Sequence, residues 1–156
     1  MNEPTRTWEE IKRIRSCSVY FFPDSVYVVA LARTVPGFEI GSEPVLELNR
    51  DLTPSGLEDA VVAALNAYQV DVAPPDPRRK YNGPLLKRTG TRSWKQIEKT
   101  AALVVVSLDG NIIRAMPTIR NPRQQGYAHR PDLACECALT PAGIGATIMR
   151  ALESCS

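Results

Sequence analysis

The segment from Ala101 to Leu108 is the most apolar strand pattern in the chain, and Asp109-Gly110 leads straight through Asn111 into a second apolar run, Ile112 to Met116. An Asp-Gly pair between β-patterned runs supplies the positive φ values of a tight hairpin turn, so two antiparallel strands are predicted here. A second hairpin follows from Ser18 to Phe22 and Val26 to Arg33, both rich in β-branched and aromatic residues and separated by the turn Pro23-Asp24-Ser25. Pro36-Gly37 then breaks the chain, and Val45 to Leu48 reads as a third short strand. Tyr127 to His129 and Ala134 to Leu139 would add edge strands.

Helices are announced by their first turns. Thr7-Trp8-Glu9-Glu10 fits a capping box. The strongest helix starts at Thr53 or Ser55, with Pro54 suited to the first turn and Leu57, Val61, Ala64, Leu65 and Tyr68 on one face. Ser93, with Gln96 three residues on, opens a short helix, and Thr140 as N-cap with Pro141 opens a last one that turns Ile144, Ile148, Ala151 and Leu152 inward. Between the first long helix and Ser93 lies VAPPDPRRKYNGP, whose four prolines and one glycine in thirteen residues predict a Pro/Arg-rich loop over 74–84. Strands in runs with a few helices, without βαβα alternation, indicate α+β: a mostly antiparallel central sheet with helices packed on it. At 156 residues the chain, 1–156, suits a single domain.

The longest apolar stretch, Val26 to Ala32, is far short of the roughly 18 residues that a membrane-spanning helix needs. The first fifteen residues, MNEPTRTWEEIKRIR, lack the apolar core of a secretory signal, so a cytoplasmic location is expected. Residues 1–76 hold six Lys/Arg against twelve Asp/Glu, whereas residues 77–156 hold thirteen against five. The small net charge of +2 therefore covers an acidic half and a basic half that pack into one domain and polarise its surface.

Candidate chemistry is sparse. There is no G-x-G-x-x-G, Walker loop or G-x-S-x-G. His129 is the single histidine, so a histidine-dependent enzyme would rest on it alone. Adjacent carboxylates such as Glu9/Glu10 and Glu58/Asp59 point about 100 degrees apart on a helix and do not converge. Cys17, Cys135, Cys137 and Cys155 contain no C-x-x-C; Cys135 and Cys137 near His129 would still lack a fourth ligand, and reduced thiols are expected. No metal, cofactor, small-molecule substrate or catalytic residue is expected. The run Arg78, Arg79, Lys80, Lys87, Arg88, Arg92, Lys95 and Lys99, interleaved with Tyr81 and Trp94, has the composition of a nucleic-acid footprint, which makes a nucleic-acid-binding module the alternative reading. The modest overall charge and the lack of a nucleic-acid-binding motif weigh against it.

Thr89-Gly90, Ser93-Trp94-Lys95, Leu103-Val104, Pro117-Thr118, Gly126-Tyr127 and Ile144-Gly145, preceded by Gly37-Phe38, Gly41, Glu43-Pro44-Val45 and the helix from Leu57 to Leu65, stand in a characteristic order. That ordered set, over roughly residues 18–152, resembles the CdiI-type immunity proteins of bacterial contact-dependent growth inhibition. The chain departs from the family around Pro74 to Arg79 and over Asn121 to Arg130. The resemblance implies a protein made by the inhibitor cell that binds and sequesters the C-terminal toxin domain of a cognate CdiA protein, one to one. Such toxins are often nucleases that act on transfer RNA. A nuclease cleft is positive because it holds phosphates, so an acidic inhibitor face would associate fast and compete with RNA. Glu39, Glu43, Glu47, Asp51, Glu58, Asp59 and Asp71 are the expected contacts, with Tyr68 as an aromatic anchor. Trp94 and Tyr127 are expected to pack rather than bind. A dissociation constant in the nanomolar range, about −12 kcal/mol, would suit such an inhibitor.

Overall fold

A computed structural model describes residues 7–78, 83–120, 126–140 and 143–155. Among them are eight strands in one sheet and five α-helices, an α+β domain. The strands are β1 (Arg15–Phe21), β2 (Ser25–Thr34), β3 (Glu39–Asn49), β4 (Gln69–Val72), β5 (Ala102–Asp109), β6 (Ile112–Arg120), β7 (Tyr127–His129) and β8 (Cys135–Ala138). The helices are α1 (Trp8–Arg13), α2 (Pro54–Asn66), α3 (Gly83–Thr89), α4 (Trp94–Thr100) and α5 (Ile144–Leu152).

The predicted hairpins form the middle of the sheet, whose order is β3-β2-β1-β5-β6-β7. β1 pairs antiparallel with β2 and β5, Val19 lying opposite both Val28 and Val104. β4 is the parallel exception, pairing with the end of β2 at Ala32 and Thr34. On its outer edge β6 is shared: β8 pairs with Ile112 to Ala115 and β7 with Thr118 to Arg120. Pro117, which has no N–H to give, falls between these two stretches.

Side chains alternate between two buried layers, as a strand's period of two requires. Cys17, Val19 and Phe21 of β1 and Val26, Val28 and Ala30 of β2 meet Leu57, Val61, Ala64 and Leu65 of α2 and Ile144, Ile148 and Ala151 of α5. Tyr20, Tyr27 and Val29 point the other way, against Leu85 and Leu86 of α3 and Ile97 of α4. Each fully buried Val or Leu contributes about 1.5–3 kcal/mol of transfer free energy. Helices thus cover both faces of the sheet.

The expected capping box closes α1: the Thr7 amide donates to the Glu10 carboxylate at 2.9 Å, and the Glu10 amide to the Thr7 hydroxyl at 3.3 Å. Thr53 caps α2 by accepting from the Gly56 amide at 3.2 Å, and Ser93 caps α4 by accepting from the Gln96 amide at 3.3 Å.

Four local expectations change. β3 runs from Glu39, well before Val45, and its register slips where Glu43 and Pro44, joined by a cis peptide bond, interrupt the pairing with Val29 and Ala30. α2 ends at Asn66, so Tyr68 is outside the helix and leads into β4, a strand the sequence did not announce. The predicted loop over 74–84 closes earlier than expected, because Gly83 and Pro84 begin α3; residues 79–82 lie outside the described residues. α5 begins at Ile144 with Gly143 as an N-cap that has no side-chain acceptor, in place of Thr140, and Pro141 lies outside the described residues. Among the described residues no helix is long and apolar enough to cross a membrane.

Candidate functional site

The eight expected contact residues divide among several places. Glu39, Tyr68 and Asp71 gather at the end of the sheet where β2 turns into β3 and β4 joins. Gly37 makes that turn with φ 111°, a conformation that side chains disfavour, and its amide donates to the Thr34 carbonyl at 2.9 Å. The Trp8 ring of α1 lies over it, 3.3 Å from where a Cβ would stand. Lys12 of α1 reaches the Asp71 carboxylate at 3.1 Å, and its ammonium sits 5.5 Å from the Trp8 ring centre. Asp71 holds a left-handed backbone, φ 56°, which Asp tolerates better than most residues.

Arg33 ties the turn to β4: its Nε donates to the Tyr68 hydroxyl at 3.2 Å and its Nη1 to the Gly37 carbonyl at 3.1 Å. The Glu39 carboxylate lies close enough to the Tyr68 hydroxyl to act on it electrostatically. Burial first, and then the Glu39 carboxylate, push the phenol up to about 12, so it stays a donor at neutral pH. Around these polar ties Val35 is 61% exposed and Phe38 51%, with Trp8 and Val70 also open. Glu9 and Glu10 in the first turn of α1 add acid to the same end. An apolar centre with charged residues about it is the usual anatomy of a protein contact surface.

The remaining carboxylates lie elsewhere. Glu47 accepts from the Tyr27 hydroxyl at 2.8 Å on the α3 side of β3. Glu43 lines a cleft of about 480 Å³ with Pro44, Val45, Pro84, Lys87 and Arg88. Asp51 follows the end of β3, exposed. Glutamates and a proline-containing bulge on the outermost strand also discourage edge-to-edge pairing.

Glu58 requires a correction. It is 9% exposed, and its Oε1 accepts from the amides of Ile144 at 2.9 Å and Gly145 at 3.3 Å, supplying the cap that Gly143 cannot. Its carboxylate is an internal strut, held there by a partner 86 residues away. Asp59 is exposed, and it borders an apolar cleft of about 420 Å³ that Glu58 also lines, with Val62, Leu139, Thr140 and Ile144.

His129 stands exposed on β7 opposite Thr118, away from the acidic end. The four cysteines are free, and burial pushes the Cys17 thiol far up. Among the described residues no group of three or more His, Cys, Asp or Glu side chains could hold a metal ion. Tyr127 packs as expected: its ring meets Tyr20 edge-on at 6.2 Å, and its hydroxyl donates to the carbonyls of Ala101 at 2.8 Å and Ile97 at 3.3 Å. Trp94 is only partly absorbed, touching Tyr20 at 6.2 Å while 36% exposed. Of the basic run, Lys87, Arg88, Arg92, Lys95 and Lys99 ride on or between α3 and α4, and Arg78 pairs with Asp76 at 3.4 Å. Arg79, Lys80 and Tyr81 lie outside the described residues. Sequence reasoning missed Trp8, Val35, Phe38 and Val70 as surface groups, since nothing in their spacing separates an exposed apolar side chain from a core one.

No family model matches the chain, and no curated protein matches it. Solved structures of similar fold include two that the chain matches over almost its full length. One is a protein of unknown function from Neisseria meningitidis, with TM-score 0.73 and 14% identity over 93% of this chain and 97% of that one. The other is a chain of a CdiA-CT/CdiI toxin and immunity complex from Yersinia pseudotuberculosis, with TM-score 0.71 and 14% identity over 92% of this chain and 98% of that one. At such identity the likeness is one of fold.

Proposed function

We propose that the protein is an immunity protein, acting in the cytoplasm, which binds the C-terminal toxin domain of a cognate CdiA effector and neutralises it. The observation that carries this reading is the correspondence of fold, over 92% of the chain, with a chain of a toxin and immunity complex. The toxin on this reading is a nuclease, and the complex is one to one. Neutralisation asks no catalysis of the chain; it needs a surface that fills or overhangs the toxin's active site or substrate groove.

The end built from α1, the β2–β3 turn and β4 suits that task. Phe38, Val35, Trp8 and Val70 offer apolar area that water gains by leaving. Glu39 and Asp71 meet a phosphate-binding groove with the opposite sign of charge. Tyr68 is held by Arg33, which donates to its hydroxyl, so its ring loses less freedom on binding.

A calorimetric titration against the toxin domain encoded immediately upstream, at 50 and 200 mM salt, tests the reading. One-to-one binding with a nanomolar dissociation constant, weakened by salt, is the expected result. Phe38→Ala should loosen the complex at least tenfold while changing stability by less than about 0.5 kcal/mol, as for most exposed positions. No binding at micromolar concentrations would overturn the proposal.

A further inference from the structure

A second surface differs in sign from the first. On α4, Ile97 points into the core, which sends Lys95 and Lys99, four residues apart, along one outward stripe. Lys87 and Arg88 are exposed on α3, which shares the same buried layer, and exposed Arg92 stands just before the Ser93 cap that joins them. The Arg120 guanidinium of β6 donates to the Lys99 carbonyl at 2.9 Å and adds another positive charge at the end of α4. Glu98 is the only carboxylate on these two helices. Among the described residues none of Lys87, Arg88, Arg92, Lys95 and Lys99 makes a salt bridge. Glu43 shares a cleft with Lys87 and Arg88, but five cations against Glu43 and Glu98 leave the layer with a net positive charge, which favours a polyanion that releases counterions on binding.

Trp94 narrows the class of polyanion. Its indole leans on Tyr20 at 6.2 Å, which fixes the ring, yet it is 36% exposed beside Lys95. A fixed, half-open aromatic ring on a helix that also carries Lys95 and Lys99 can stack on an unpaired base while the backbone follows the charges, with Glu98, four residues on, as the one carboxylate on its side of the helix. Lys95 and Lys99 are about 5–6 Å apart at Cβ, close to the separation of neighbouring phosphates along a strand. An acidic protein surface would use the charges but leave the ring without a role.

We propose that the α3–α4 face binds single-stranded nucleic acid, with Lys87, Arg88, Arg92, Lys95 and Lys99 on the phosphates and Trp94 stacked on a base. This site lies apart from the α1 and β2–β3 turn surface and does not depend on the immunity reading.

Fluorescence anisotropy with a fluorescein-labelled 20-nucleotide oligouridylate tests it, with no toxin present. Binding in the micromolar range at 50 mM salt is expected, and log K should fall against log salt with a slope of about −3.5, from roughly 0.7 per phosphate for five contacts. Lys95→Glu/Lys99→Glu, at exposed positions whose fold is checked by circular dichroism, should weaken binding at least tenfold and flatten the slope by at least one. A labelled duplex DNA of equal length should bind more weakly, since its bases are not free to stack. No binding at 50 mM salt, a double variant that binds like the parent, or equal affinity for polyglutamate would each overturn the proposal.

Discussion

Removing the Glu58 side chain beyond Cβ should destabilise the protein more than any other single carboxylate change among the described residues. Its Oε1 accepts two amide protons at the start of α5, from Ile144 at 2.9 Å and Gly145 at 3.3 Å, at a side chain 9% exposed. Gly143 offers α5 no side-chain acceptor, so Glu58→Ala leaves both amides facing the packed start of α2. Bonds to a charged acceptor contribute about 1.5–3 kcal/mol each, and the longer bond counts for less. The favourable field of a carboxylate at a helix N-terminus adds about 0.3–1 kcal/mol. Partial entry of water returns some of the loss, which places Glu58→Ala near 3 kcal/mol in urea unfolding at pH 7. For a domain of this size that corresponds to a fall of about 6–12 °C in Tm. Glu58→Gln keeps an amide oxygen in place without the charge and should cost about 1–1.5 kcal/mol. A Glu58→Ala variant within 0.5 kcal/mol of the parent, or equal losses in the two variants, would refute the assignment of Glu58 as the cap of α5.

Gly145→Ala should cost about 2–3 kcal/mol in the same assay, instead of the usual gain of Ala over Gly in a helix. The added Cβ would stand 2.9 Å from Cα and 3.0 Å from the carbonyl carbon of Pro54, closer still to its oxygen, and backbone cannot rotate aside. Tyr127→Phe removes the donor to Ala101 and Ile97 and should lower stability by about 1 kcal/mol, with the α4 amides exchanging faster by hydrogen exchange. Alkaline stability should report Tyr20, whose phenol burial pushes up from 10.0 to about 12. Between those values the unfolded chain has released a proton that the native chain keeps, so this contribution is whole below pH 10 and disappears as the pH rises through 12. Tyr20→Phe should make the fall in unfolding free energy across that window shallower by about 2–3 kcal/mol, and an unchanged profile would contradict the burial argument.

The hairpins were legible in the sequence because each is a local object: two apolar runs and a turn at Pro23-Asp24-Ser25 or Asp109-Gly110. The caps at Thr7, Thr53 and Ser93 were legible for the same reason, a hydroxyl within three residues of the amide it serves. What escaped depends on partners distant in sequence. β3 begins at Glu39 although only Val45 to Leu48 reads as a strand, because Glu39, Gly41, Glu43 and Pro44 carry no strand pattern until β2 lies beside them. β4 is four residues long and exists only because the end of β2 is open to it. Gly83-Pro84 punctuates a loop in sequence but starts α3 once Leu85 and Leu86 have a sheet to cover. The acidic set followed charge alone and so could not separate Glu58, turned toward α5, from Glu39 and Asp71 at the surface. Phe38 and Trp8, in the same way, look like core residues until the β2–β3 turn holds them outside.

The most direct test of the immunity reading is inhibition of the toxin itself. The purified upstream toxin domain is assayed for cleavage of transfer RNA while this protein is added in steps from zero to twofold excess. The account predicts that activity falls linearly to background at one equivalent, and that the Phe38→Ala and Glu39→Lys/Asp71→Lys variants need a clear excess to reach the same point. Undiminished cleavage at twofold excess, with both proteins folded and the toxin active, would contradict it.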